Sequence, residues 1–173
     1  MRKLLIFDLD DTLLTSEKII TPSSIKAIEA CKNNGMVIGY ITGRARTMQN
    51  EIDNGKIFFT DRYNLPKDFI AYYNGAEIYA ENISIERNII PHKNAMKESA
   101  LKKASEYFNI PFADIISFGD DINDMNMLKT SGVGVAMGNA INAVKEAADY
   151  ITETNDNEGI SVWINKYLLG NKA

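Results

Sequence analysis

Four stretches of the chain are almost unbroken in apolar residues: Leu4-Leu5-Ile6-Phe7, Val37 to Ile41, Ile115 to Phe118, and Val133-Gly134-Val135-Ala136. Short runs without polar alternation are the pattern of strands covered on both faces. Between them the spacing becomes helical. Thr21-Pro22-Ser23-Ser24 reads as a helix start, Ile25, Ile28 and Cys31 form its apolar stripe, and Gly35 ends it. A second helix is expected from about Lys93 or Ala95 to Phe108, ahead of Asn109-Ile110-Pro111. Further helices are expected over Asn123 to Lys129, Ala140 to Ala147 and Gly159 to Leu169, the last with a core face carrying Trp163. Strands alternating with helices predict an α/β fold, a doubly wound and mostly parallel sheet.

Residues 45 to 92 interrupt this rhythm. Phe69 to Tyr73 suits another strand, and Glu77-Ile78-Tyr79 with Ile83-Ser84-Ile85-Glu86-Arg87 suits an antiparallel hairpin. Met48 to Asn64 has no readable period. The insertion is too small for a second core, so 1–173 is expected to be one domain, with 45–92 as a short insertion that includes the hairpin.

In open α/β sheets, ligands bind beyond the carboxyl ends of the strands. The first run leads into Asp8-Leu9-Asp10-Asp11-Thr12, the second into Thr42-Gly43-Arg44, and the third into Gly119-Asp120-Asp121 with Asn123 and Asp124 following. Asp8 and Asp10 are two apart, and an extended backbone turns both the same way. With Asp120 and Asp124 nearby, the carboxylates crowd one volume and call for a cation. His92 and Cys31 stand alone, so no zinc set exists; oxygen ligands beside phosphate suit magnesium, and a lysine also offsets charge.

The motifs Asp8-Leu9-Asp10-Asp11-Thr12-Leu13, Ile41-Thr42-Gly43-Arg44, Lys97 in Met96-Lys97-Glu98-Ser99-Ala100-Leu101, and Gly119-Asp120-Asp121-Ile122-Asn123-Asp124 resemble the four motifs of the haloacid dehalogenase superfamily, in order. Asn74-Gly75-Ala76, the stretch from Gly134 to Ala140 and the stretch from Ala147 to Thr152 resemble its sugar-phosphatase-like branch. The resemblance implies a phosphomonoester hydrolase working through an aspartyl phosphate. Asp8 is then the nucleophile and Asp10 the acid and base. Magnesium is held by Asp8, the Asp10 carbonyl and Asp120, with Asp124 in support. Thr42, with Gly43 beside it, binds the phosphoryl group, Lys97 neutralises charge, and Asn123 positions the lysine or the phosphate. Relatives in that branch carry a cap domain between the second and third motifs. Here the cap is expected to be missing or truncated, a small hairpin standing in its place.

Composition narrows the setting. Hydrophobic residues make up 45% and charged residues 24%, and the formal net charge is -4 with no long basic run, which argues against nucleic acid. The single cysteine excludes an intrachain disulfide and favours a cytoplasmic setting. The opening apolar run stops at Asp8, too soon for a membrane span. The expected partner is a phosphorylated substrate, either a small metabolite or a macromolecular phosphate ester, and a homo-oligomer is expected to shield the uncapped site.

Three other readings stay open. A receiver-type signalling module also uses aspartyl phosphate, but its nearest acceptor, Asp53, follows no apolar run. A non-catalytic binding protein and a phosphomutase share the same core motifs. The second aspartate, Asp10, counts against dehalogenase chemistry. Gly132, Gly134 and Gly138 do not match dinucleotide spacing. Arg44, Arg46 and His92 read by default as surface residues.

Overall fold

A computed structural model of the chain describes residues 2–44, 63–81, 83–87 and 95–170. Among these residues eight strands form one sheet. They are β1 (Leu4–Phe7), β2 (Val37–Ile41), β3 (Phe69–Tyr72), β4 (Glu77–Ala80), β5 (Ile83–Arg87), β6 (Ile115–Gly119), β7 (Val133–Ala136) and β8 (Tyr150–Ile151). Their spatial order is β5-β4-β3-β2-β1-β6-β7-β8. All neighbours from β3 to β8 across the sheet pair in parallel, and β3-β4-β5 pair antiparallel. From β1 the order runs outward in both directions, which makes the sheet doubly wound and places the switch point between β1 and β6.

Apolar runs appear in β1, β2, β3 and β6 because both faces are buried. Leu5, Phe7, Ile38, Tyr40, Ile70, Tyr72, Ile116 and Phe118 pack on one face with Ile28, Trp163 and Ile164. Leu4, Ile6, Val37, Ile41, Phe69, Ala71 and Ile115 pack on the other with Ala100, Leu101 and Ala104. The alternation is the pleat of the strands, and each fully buried Leu, Ile or Phe contributes about 1.5–3 kcal/mol.

Among the described residues the α-helices are α1 (Pro22–Asn33), α2 (Lys97–Phe108), α3 (Met125–Thr130), α4 (Asn142–Ala147) and α5 (Gly159–Tyr167). Helix α1 starts as its sequence predicts: the Thr21 hydroxyl accepts the Ser24 amide at 3.3 Å, and Pro22 occupies the first turn. Gly35, at φ 80°, turns the chain back toward β2. On α2 the buried stripe is Lys97, Ala100, Leu101 and Ala104. A lysine at the head of an apolar stripe is the one residue there whose burial needs a partner, and it locates the site.

The hairpin β4–β5 extends the sheet at its edge. Its first strand contributes Ile78 and Ala80 to the core. The short strand β8, which the hydrophobic pattern does not reveal because both its residues are exposed, closes the opposite edge. Positions 48 to 64 lie outside the described residues except for the last two, and Arg46, Asp53 and His92 lie outside them altogether. Among the described residues no helix is long and apolar enough to cross a membrane.

Candidate active site

Asp8 is the first residue beyond β1, and its amide donates to the Phe118 carbonyl at 3.1 Å, so it is fastened to the strand across the switch point. Thr42 follows β2, and its amide donates to Ala71 at 2.9 Å. Asp120 follows β6. Asp124 lies four residues on, at the start of α3. Lys97 enters from the first turn of α2. These residues come from separate parts of the chain, yet the parallel topology brings them to the carboxyl edge.

Lys97 organises the floor of the site. Its ammonium donates to Asp8 Oδ1 at 2.5 Å and to Asp124 Oδ1 at 2.6 Å, with only 2% of its side chain exposed. The other Asp124 oxygen accepts the amides of Asp120 and Asp121 at 3.1 and 3.2 Å. Gly119 is required here by space: a Cβ at that position would lie 2.6 Å from the Asp124 carboxyl carbon. Thr12, itself buried, donates to Asp120 Oδ1 at 2.7 Å. Its hydroxyl fixes Asp120 across 108 residues of sequence.

The carboxylates of Asp8, Asp120 and Asp124 each offer an oxygen within 4.8 Å of the others. With all three ionised, one ammonium leaves two negative charges uncompensated. Burial, then the charge of Asp124, push the Asp8 carboxyl up to about 8 against the pull of Lys97. Burial likewise pushes Asp120 up to about 6, against the Thr12 hydrogen bond. Burial disfavours the Lys97 charge, but Asp8 and Asp124 outweigh it and hold the ammonium above its usual range.

Asp10 departs from the sequence expectation. Its carboxylate does not join the cluster. Arg44 grips both of its oxygens, Nε at 2.6 Å from Oδ2 and Nη2 at 2.5 Å from Oδ1, and Lys18 stands 3.4 Å from Oδ1. Partial burial raises the Asp10 carboxyl, but the Arg44 hydrogen bonds and charge, helped by Lys18, bring it below the usual carboxylate range. Any metal role for Asp10 therefore falls to its backbone carbonyl. Arg44 is not the solvated surface arginine that the default reading expects: 14% of its side chain is exposed. The signal was its place, two residues after Thr42 and beside an acidic cluster.

The turn after Asp10 is held in shape. Asp11 takes a left-handed φ of 56°, which aspartate tolerates, and the Asn139 side chain donates to its carbonyl at 2.7 Å. The Thr42 hydroxyl oxygen accepts the Arg44 amide at 3.0 Å, leaving its own proton free to donate. Gly43 is exposed, and a Cβ there would lie 3.3 Å from Asn74 Oδ1. Asn74 in turn donates its amide to the Thr42 carbonyl at 2.8 Å, so the turn after β3 props the turn after β2. Asn123 is exposed, and the partners of the Lys97 ammonium are Asp8 and Asp124, not Asn123.

A sequence profile described as haloacid dehalogenase-like hydrolase matches residues 5–94 and 56–164. The chain belongs to this family. Within it, the chain is similar to a putative phosphatase of Haemophilus influenzae, 44% identical over 73 residues, which are 42% of this chain and 28% of that protein. It is also similar to a 5-amino-6-(5-phospho-D-ribitylamino)uracil phosphatase of Bacillus subtilis, 38% identical over 100 residues, 54% of this chain and 37% of that protein. The chain thus spans about a third of the length of these curated relatives. A solved haloacid dehalogenase-like hydrolase from Bacteroides thetaiotaomicron superposes with a TM-score of 0.83 at 21% identity, covering 96% of this chain and 99% of that one. A solved subclass IIB sugar phosphatase of the same superfamily gives 0.82 at 22%, covering 95% and 98%. At that identity the likeness establishes the fold.

The donor set of this haloacid dehalogenase-like site is entirely oxygen. Crowded carboxylates with raised proton affinity, beside a lysine that cannot neutralise them alone, fit a hard divalent cation.

Proposed function

We propose that the chain is a magnesium-dependent phosphomonoester hydrolase that works through an aspartyl phosphate on Asp8. One observation carries this reading. Asp8 is a buried carboxylate at the switch point, 2.5 Å from an almost fully buried lysine and within ligand reach of Asp120 and Asp124. A structural ion pair has no need of three carboxylates, and a nucleophile facing a phosphate dianion needs this compensation.

Asp8, Asp120 and Asp124, with the Asp10 carbonyl, are the residues to hold magnesium. When bound, the ion would supply charge neutralisation for the phosphoryl oxygens. Asp8 attacks phosphorus, the ester oxygen leaves, and an acyl phosphate forms. Lys97 holds Asp8 in place and offsets the negative charge of the incoming phosphoryl group. The Thr42 hydroxyl donates to a phosphoryl oxygen, with Gly43 giving the group close approach. Asp10 gives a proton to the leaving oxygen and then takes one from the water that cleaves the acyl phosphate. Asn123 contributes from the loop at the rim.

We carry the truncated cap and the homo-oligomer as part of this proposal. The hairpin β4–β5 lengthens the sheet and does not roof the site. Ile19, Met96, Ile122 and Ile141, between 41% and 55% exposed, lie on loops at the carboxyl edge, which supports a cover supplied from outside this core. The functional test is release of phosphate from an aryl phosphate with magnesium, with chelator, and in Asp8→Asn. Activity only in the magnesium-loaded wild type supports the reading, and activity surviving Asp8→Asn overturns it.

A further inference from the structure

We propose that Asn139 is a positioning residue for the magnesium site: it fixes the peptide between Asp11 and Thr12, and through the Thr12 hydroxyl it orients the Asp120 carboxylate. This inference rests on the hydrolase reading above, which gives Asp120 to magnesium, and adds the residue that sets its aim.

The turn Leu9–Leu13 is not a regular helix. Asp10 (φ -69°, ψ 130°) is extended and Asp11 (φ 56°, ψ 9°) is left-handed. A non-glycine residue in the left-handed region keeps that shape only where its surroundings hold it. The hold comes from far along the chain. Asn139 Nδ2 donates to the Asp11 carbonyl at 2.7 Å, and Asn139 Oδ1 accepts the Asn155 amide at 3.0 Å. Both ends of the side-chain amide are therefore engaged, and the two partners assign which end is nitrogen. The next residue after the gripped carbonyl is Thr12, which is buried and donates to Asp120 Oδ1 at 2.7 Å.

The support behind Asn139 is itself built. The loops after β7 and β8 are fastened together: the Gly138 amide donates to the Glu153 carbonyl at 3.0 Å. A Cβ at Gly138 would lie 2.8 Å from the Thr154 amide nitrogen, so only glycine permits this approach. From the joined loops two more side chains reach the same segment. Asn155, buried, donates to the Leu14 carbonyl at 3.0 Å, and Asp156 Oδ1 accepts the Ser16 amide at 2.8 Å. Asn139 is exposed, so water can replace it as a donor, but water does not tie the Asp11 carbonyl to a fixed loop. The chain of contacts Asn155–Asn139–Asp11–Thr12–Asp120 thus runs unbroken from the sheet edge to a metal carboxylate. Groups that orient a metal ligand in this way set affinity without touching the ion.

The test is calorimetric titration of magnesium into wild type, Asn139→Ala, Thr12→Val and the double variant, with Tm measured in chelator. Ser105→Ala, which removes a hydrogen bond to the Ile110 carbonyl at the far end of α2, is the control. Asn139→Ala and Ser105→Ala are each expected to lower Tm by a few degrees at most. Only Asn139→Ala is expected to weaken magnesium, by about tenfold. Because Asn139 acts through Thr12, its loss in the Thr12→Val background is expected to add less than about twofold. Wild-type affinity in Asn139→Ala, an equal loss in Ser105→Ala, or an Asn139→Ala loss undiminished in the Thr12→Val background overturns the inference. A wild type that binds magnesium but releases no phosphate from an aryl phosphate brings down the hydrolase reading alone, and a wild type that binds no magnesium brings down both.

Discussion

Lys97 and Arg44 each hold an aspartate of the same first loop, and their surroundings are opposite. Lys97 lies at the floor, 2% exposed, tied to two carboxylates that are themselves buried. Arg44 lies at the rim and holds Asp10, whose side chain is 39% exposed and shared with Lys18. On the floor every carboxylate has an assigned neighbour: Thr12 on Asp120, two backbone amides on Asp124, and Lys97 between Asp8 and Asp124. At the rim, the ion pairs reach the surface through Asp10 and Lys18, whose side chains are 39% and 45% exposed. The floor is preorganised for one charge distribution, that of a transferring phosphoryl group. The rim, with Asp10 and Lys18 half-exposed, is held less tightly.

The largest effect separating the two regions belongs to Lys97. Lys97→Met is expected to lower kcat by about 10²–10³-fold, in line with loss of one preorganised charge partner. It also leaves two buried carboxylates without their cation, at a cost of about 3 kcal/mol near neutral pH. Steady-state kinetics and urea unfolding in chelator check both, and an unchanged unfolding midpoint would contradict the account of the floor. Thr12→Val comes next. It keeps the shape but removes the donor to Asp120, and magnesium affinity is expected to drop about tenfold. Titration of activity against magnesium measures it.

A pH experiment sharpens the comparison. Without metal, Asp8 and Asp120 titrate at about 8 and about 6 against 3.8 when unfolded. These two groups therefore hold more protons in the folded protein than in the unfolded chain between about pH 4 and about pH 8. Their contribution to stability is full below about pH 4 and is lost as pH rises, first through 6 and then through 8. Magnesium competes with the same protons, so its affinity rises across this window. The rise in Tm on adding magnesium is expected to be larger at about pH 8 than at about pH 5. The smallest effect is at the rim. Lys18→Ala removes a half-exposed cation from Asp10 and Asp11 and is expected to shift stability by less than about 0.5 kcal/mol. Thermal denaturation checks it, and a large loss would show the rim to be as fixed as the floor.

The sequence made the floor legible because each of its residues terminates an element with a strong hydrophobic period. Asp8, Thr42 and Asp120 follow unbroken apolar runs, and parallel topology alone places such ends together. Lys97 was harder, since its period marks it as core and its type as surface, and family resemblance resolved the conflict. The rim was not legible. Spacing put Asp8 and Asp10 on one side of an extended segment, but Arg44, 34 residues away, draws the Asp10 carboxylate off. Thr12 was visible only as part of a polar cluster, since its role depends on Asp120, 108 residues on. Strand β8 stayed hidden because two exposed residues carry no period.

The central claim is that phosphorus becomes bonded to Asp8. The direct measurement is acid quenching of wild type and Asp10→Asn during turnover with magnesium, followed by peptide mass mapping. Asp10→Asn is expected to accumulate a phosphoryl group on the peptide that contains Asp8, because slow release follows loss of the base. Phosphate on a different residue, or turnover with no phosphorylated peptide in the base-deficient variant, would contradict the account.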